Sequence, residues 1–231
     1  MYNGSVSNHA YASVWCRGFS EETMLDLFER LLATVPFSAE RPGFTQLTIR
    51  ALEPTEIPVI ELDLRRMPAS AADLAAMARE SAHADSAYET SAFWDLWTCL
   101  SADASPQWQL QPQPLDLVCF GEGFEDGVFQ QAGHFQVNLG FEHLFTGHAG
   151  LLGFEGRVVT APQHPVEAEF LRAMADPANL RVYREKTHEN IRRLSQWMGQ
   201  VRETLPVAQY RLWSEGEENF EARLDEILAA R

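Results

Sequence analysis

The sequence is short of lysine and cysteine and has no long apolar run, and each shortage closes off a class of function. Lys186 is the only lysine, and 18 basic residues stand against 33 acidic ones, for a net charge of −15. A phosphate backbone is repelled by such a chain, so nucleic acid is not expected as a partner, and an anionic membrane surface is disfavoured for the same reason. The cysteines, Cys16, Cys99 and Cys119, are odd in number and widely spaced, with no C-x-x-C. Disulfide scaffolds and zinc ribbons need closely paired cysteines, so these three read as small apolar residues. No apolar stretch approaches the ~20 residues that cross a bilayer. Residues Met1 to Ala10 lack the basic start and apolar core of a secretion signal, so a cytoplasmic location is expected.

Motifs of catalysis are also missing. There is no G-x-S-x-G, no P-loop and no H-E-x-x-H. The glycine-rich run Gly121-Glu122-Gly123-Phe124-Glu125-Asp126-Gly127 is not a dinucleotide fingerprint, and its carboxylates repel phosphate. It reads as a hairpin or lid loop. His134, His143, His148 and His164 fall close together in sequence, but their spacings do not match a metal motif. The gap between His143 and His148 does not put both on one helical face. No metal and no cofactor are therefore expected.

What is present is a rhythm of strands and helices. His9 to Arg17 alternates, with Val14 and Cys16 on one face and Tyr11, Ser13, Trp15 and Arg17 on the other. Ser20 looks like an N-cap for a helix carrying Met24, Leu25, Phe28, Leu31, Leu32 and Val35 at helical spacing, and Pro36 ends it. Two alternating strands follow, Phe44 to Leu52 and Ile57 to Arg65, joined by a turn. Ser70 and Asp73 form a capping box for a second helix, and Tyr88 to Trp97 reads as a fourth strand. The order β-α-β-β-α-β resembles the split βαβ topology of ferredoxin-like folds. Val14, Phe28, Leu31, Leu47, Ile49, Ile60 and Leu62 are its expected core. Prolines 106, 112 and 114 break the next stretch. Leu115 to Phe120 and His134 to Leu139 then form a hairpin that extends the sheet. From Pro165 the chain turns helical, with a helix of about 25 residues opened by Asp176 and Pro177. The expectation is an α+β fold, with a sheet domain over residues 1–163 and C-terminal helices over 164–231 packed on it.

Two surfaces invite a functional reading. In a ferredoxin-like sheet the helix-free face would gather Trp15, Arg17, Gln46, Thr48, Arg50, Glu61, Asp63, Arg65, Phe93, Asp95 and Trp97. Carboxylates two apart on one strand, beside arginines that hold them ionised, suit a polar ligand between aromatic walls. The same face would also serve as the interface of a homodimer. The second surface is acidic. From Glu80 to Glu155 there are eleven Asp or Glu and no Lys or Arg, whereas residues 164–231 are nearly balanced. Glu122, Glu125 and Asp126 mark its centre, and its field would steer a basic protein partner. The leading expectation is a non-catalytic binding protein with such a partner. The alternative is a small-molecule enzyme on the open sheet face, with Asp63 or Glu61 as acid/base and Arg50 as anion clamp.

Overall fold

Alternating apolar residues give seven strands among the described residues, and all seven join one sheet. The computed structural model describes residues 8–101, 106–148, 151–153 and 155–229. Its elements are β1 (His9–Cys16), α1 (Met24–Leu32), β2 (Gln46–Ala51), β3 (Ile60–Asp63), α2 (Ala71–Arg79), β4 (Ser86–Ser101) and β5 (Gln107–Phe120). There follow α3 (Phe129–Ala132), β6 (Phe135–Phe141), α4 (His143–Thr146), α5 (Pro165–Met174), α6 (Pro177–Thr204), β7 (Val207–Ser214) and α7 (Phe220–Ala229). The strand order is β3-β2-β4-β5-β6-β1-β7, antiparallel throughout.

This order corrects the ferredoxin-like expectation. That topology would put β1 beside both β3 and β4. Here β4 is held by β2 on one side and β5 on the other, while β1 lies between β6 and β7. The reason is physical: alternation decides which side chains face the core, but two strands with the same alternation compete equally for one edge. The β5–β6 pair does extend the sheet, as Asp116 to Cys119 pair with Asn138 to Phe135. Residues 164–231 are not helical throughout, because β7 pairs with β1 along its whole length.

Helices α1, α2, α4, α6 and α7 cover one face. Ala12, Val14, Leu47, Ile49, Tyr88, Ala92, Trp94, Leu115, Leu117, Phe135 and Val137 share a core with residues of α1, α2, α4, α6 and α7. Val14, Phe28, Leu31, Leu47 and Ile49 are almost wholly buried, as expected, whereas Ile60 and Leu62 are only partly covered because β3 is an edge strand. The Ser70–Asp73 capping box forms, and Asp176 caps α6 through Ala178 N. Thr23 rather than Ser20 stands at the N-cap position of α1, without a side-chain capping bond, after one extra turn in which Met24 N donates to Ser20 O.

The β4–β5 ribbon is longer than the prolines suggested. Phe120 N donates to His134 O on the β6 side, so residues of the same parity, Pro112 and Pro114, turn their nitrogens that way too. Beyond Asp116 no strand among the described residues pairs with that edge, so these missing N–H groups interrupt no ladder there. On the other side of the ribbon, beyond β2, the buried side chain of Asn190 stands in for a neighbouring strand. Its Oδ1 accepts from Trp97 N at 2.8 Å, and its Nδ2 donates to Trp97 O at 3.0 Å and to Leu144 O at 2.9 Å. This clamp fixes α6 against the ribbon.

Candidate functional site

The strand order splits Trp15 and Arg17 from the rest of the face read from sequence, whose other candidates lie on the adjacent strands β3, β2 and β4. Trp15 and Arg17 belong to β1 and its end, whereas Arg50 lies on β2, four strand positions away, or about 19 Å at the usual spacing. The Trp15 indole donates to Phe129 O of α3, the short helix on that face. Arg50 pairs with Glu89 at 3.1 Å and caps Glu56 O. Glu61 and Asp63 stand exposed on the edge strand. The Arg65 backbone N–H and guanidinium hold the Asp63 carboxyl below its usual range, the opposite of what an acid catalyst requires. Asp95 accepts from Ala39 N at 3.0 Å. Of these seven candidates only Trp97 lines a partly open cavity walled by ring-bearing residues.

The acidic stretch is divided in the same way. Glu89, Asp95 and Asp116 are tied to Arg50, Ala39 N and Ser91 Oγ on the sheet, and Glu142 accepts from Gly216 N. Asp103 lies outside the described residues. Glu122, Glu125 and Asp126 do share one exposed loop, where Glu125 N donates to Leu52 O and Gly123 N to Ala84 O.

The cavity forms where the ribbon outruns its neighbours. Its walls come from Trp97 to Leu100 and Trp108 of the ribbon, His143 and Leu144 of α4, Val166, Glu167 and Phe170 of α5, and Tyr183, Thr187 and Asn190 of α6, with His148 and Leu151 between. The volume is about 270 Å³. A small second core of Leu152, Phe170, Ala173, Met174 and Tyr183 shares Phe170 and Tyr183 with the cavity wall, and exposed Leu100 and Val166 border the cavity.

His143 and His148 come together through the backbone of Gly147 rather than along a helix face. Gly147 ends α4 with φ +68°, a conformation that favours glycine, and a Cβ there would collide with the Tyr183 hydroxyl. The turn brings the two imidazoles to 4.9 Å between centroids, with Phe170 4.5 Å from His148. The Tyr183 hydroxyl accepts from His148 N at 2.6 Å and lies 3.3 Å from His148 Nδ1. Burial, with the neighbouring His143 adding to it, pushes His148 down to about 4, and burial lowers His143 as well. Both are neutral near pH 7. Burial also raises Tyr183, so its phenol keeps its proton.

Few polar groups here are free for chemistry. Asn190 is used by the clamp, and Thr187 donates to Tyr183 O. Glu167 is occupied by Gln163 N and His164 N at the start of α5, which hold its carboxyl below the usual range. Among the described residues the indole nitrogens of Trp94, Trp97 and Trp108 are buried and meet no acceptor. His164 caps α5, and His134, stacked on Phe19 at 4.0 Å, accepts from Cys16 N at the far side of β1. No group of three or more metal-ligating side chains occurs among the described residues.

Sequence reading missed Trp108, His143, His148, Phe170 and Tyr183 as partners. The one local signal was a glycine between two histidines. No helix among the described residues is long and apolar enough to cross a membrane. Comparison of the chain with protein-family models, with curated proteins and with solved structures found no match.

Proposed function

We propose that the protein is a non-catalytic binding protein that holds a small molecule between the β4–β5 ribbon and helices α4 to α6. The observation that carries this reading is the wall of six rings, Trp97, Trp108, His143, His148, Phe170 and Tyr183, around about 270 Å³. Enclosed, mostly apolar spaces with a few convergent polar groups are where small ligands bind. The polar groups here hold structure rather than a reacting atom: His148 faces a phenol, and Glu167 is engaged by backbone N–H groups. Val166 is exposed and borders the space, so Val166→Trp should obstruct it without disturbing the core. Ring compounds screened by thermal unfolding should raise the midpoint of the parent and not of Val166→Trp. Equal shifts in both proteins, or none in the parent, defeat the reading.

A second reading, a basic protein partner, is favoured by one observation. Glu53, Glu122, Glu125 and Asp126 lie on adjoining loops and make no ion pair among the described residues. Exposed charge of this kind speeds association and is screened beyond ~10 Å at about 0.1 M salt. Association of a basic peptide should slow with added salt and on changing Glu122, Glu125 and Asp126 to their amides. Binding indifferent to both would exclude the loop.

A further inference from the structure

A second site lies on the sheet face opposite the core helices. We propose that a groove there, above β2, β4 and β5, binds a free α-amino acid with an apolar side chain, its carboxylate on Arg41 and its ammonium on Asp116. The site is separate from the ring-walled cavity and does not depend on it.

The sheet builds the floor of the groove. Gln46, Ser91 and Asp116 stand side by side on three neighbouring strands, because Gln46 pairs with Ser91 and Ser91 with Asp116. Their neighbours Leu47, Ala92 and Leu115 are buried in the core, so alternation turns these three to the other face. Hydrogen bonds join them: Gln46 Nε2 donates to Ser91 Oγ at 3.0 Å, and Ser91 Oγ donates to Asp116 Oδ1 at 2.6 Å. Phe93 follows two residues along β4 on the same face, opposite Pro114. The segment before β2 supplies a wall. Ser38 N donates to Phe93 O at 2.7 Å, and Arg41 N donates to Ser38 Oγ at 3.2 Å. The Arg41 guanidinium then lies over the Phe93 ring, 4.9 Å from its centroid. The groove is open to solvent and holds about 600 Å³.

Charge selects a zwitterion. Three charged side chains line the groove, Arg41, Arg65 and Asp116. Arg65 is matched by Asp63 at 3.0 Å. Arg41 and Asp116 make no ion pair among the described residues, either with each other or with another group. One unmatched charge of each sign remains. A simple anion would meet Arg41 but be repelled by Asp116, and a simple cation would suffer the reverse. A ligand carrying both charges meets both.

Spacing selects an α-amino acid. Asp116 lies one strand across from Phe93 and two residues along, about 8 Å away at Cα on the usual sheet spacings. An α-amino acid holds its nitrogen and carboxyl carbon about 2.5 Å apart. With a charge-assisted hydrogen bond of about 2.8 Å at each end it spans a similar length. A dipeptide, longer by about 3.5 Å, overshoots. Exposed Pro42, Pro68 and Pro114 join Phe93 in the lining, so the remaining space suits an apolar side chain.

The test compares L-leucine with two molecules that share its side chain and carry one charge each: isocaproate, the anion, and isoamylamine, the cation. Each is titrated into the purified full chain and followed by NMR at the Phe93 ring and the Ser91 amide. Leucine should bind about tenfold tighter than either, the scale of one added charge-assisted hydrogen bond, and should shift both signals. Arg41→Gln should cancel its advantage over isoamylamine. Asp116→Asn, which keeps an acceptor for Ser91, should cancel its advantage over isocaproate. Val166→Trp, which obstructs the ring-walled cavity, should leave leucine binding unchanged. Leucine binding no tighter than a single-charge probe, or not at all, overturns the proposal on the parent chain alone, whether or not a variant folds. Binding that is indifferent to both groove variants, or that is lost in Val166→Trp, places leucine elsewhere and overturns it too, while the cavity reading keeps its own separate test.

Discussion

Asn190 shows how much one buried side chain can hold. It satisfies three backbone groups, the N–H and carbonyl of Trp97 and the carbonyl of Leu144. Replacing it with Leu keeps the volume and orphans all three. The expected cost is on the order of 2–4 kcal/mol, at about 1 kcal/mol or more per unmade bond. Urea unfolding measures it, and faster hydrogen exchange at the Trp97 amide would localise it. Histidine gives a second prediction at this scale. His134 Nδ1 accepts from Cys16 N at 3.0 Å, so the folded protein needs the neutral ring, and burial pushes His134 down to about 4 from 6.5. His148 is lowered to the same range. Between about pH 6.5 and pH 4 the unfolded chain therefore binds protons that the folded chain refuses. Stability contributed by the neutral rings is complete above pH 6.5 and falls as the pH drops towards 4. Acidifying from pH 7 to pH 5 should lower the denaturation midpoint of the parent more than that of His134→Gln or His148→Gln.

Among the elements, the sharpest contrast is between β2 and β3. Leu47 pairs with Leu62 across the two strands, yet Leu47 is wholly buried and Leu62 is only partly covered at the sheet edge. Leu47→Ala should cost about 2–5 kcal/mol and Leu62→Ala clearly less, since less area is uncovered and the edge can relax. Equal shifts in midpoint would mean that β3 is covered in solution. The same pair shows what the sequence could tell. Alternation at Leu47, Ile49, Ile60 and Leu62 names the core face correctly, and Ser70, Asp73, Asp176 and Pro177 mark helix starts through local chemistry. Alternation does not name neighbours, so Trp15 and Arg17 lie four strand positions from Arg50, while Arg50, Glu61, Asp63, Asp95 and Trp97 stay on the adjacent strands β2, β3 and β4. Pro112 and Pro114 read as breaks because nothing local reveals that their edge is unpaired. β7 was hidden between two helices, with Tyr210 and Leu212 alternating over only a few residues. The ring-walled cavity was the least legible part, because Trp108, His148, Phe170 and Tyr183 meet only through tertiary packing.

For the whole molecule, the decisive feature is that β1 lies between β6 and β7. A chain ending after Leu205 would lack β7 and α7, baring the outer edge of β1 and the core surface of Phe220, Leu224 and Ile227. Exposed edges template pairing with other chains, so this truncated protein should associate by light scattering and lose a single cooperative unfolding transition. A monomeric, cooperatively unfolding truncation would show that β7 is dispensable. The same placement bears on how the protein is made. A ribosome adding about 5–20 residues per second needs roughly 10–40 s to pass from Cys16 to Val207. Throughout that interval the first strand to emerge has no β7 to pair with, and for most of it no β6. The nascent chain thus carries an unpaired apolar strand for longer than most folding steps take, and a chaperone that shields Ala10, Ala12 and Val14 should raise the yield more than one acting on the finished chain.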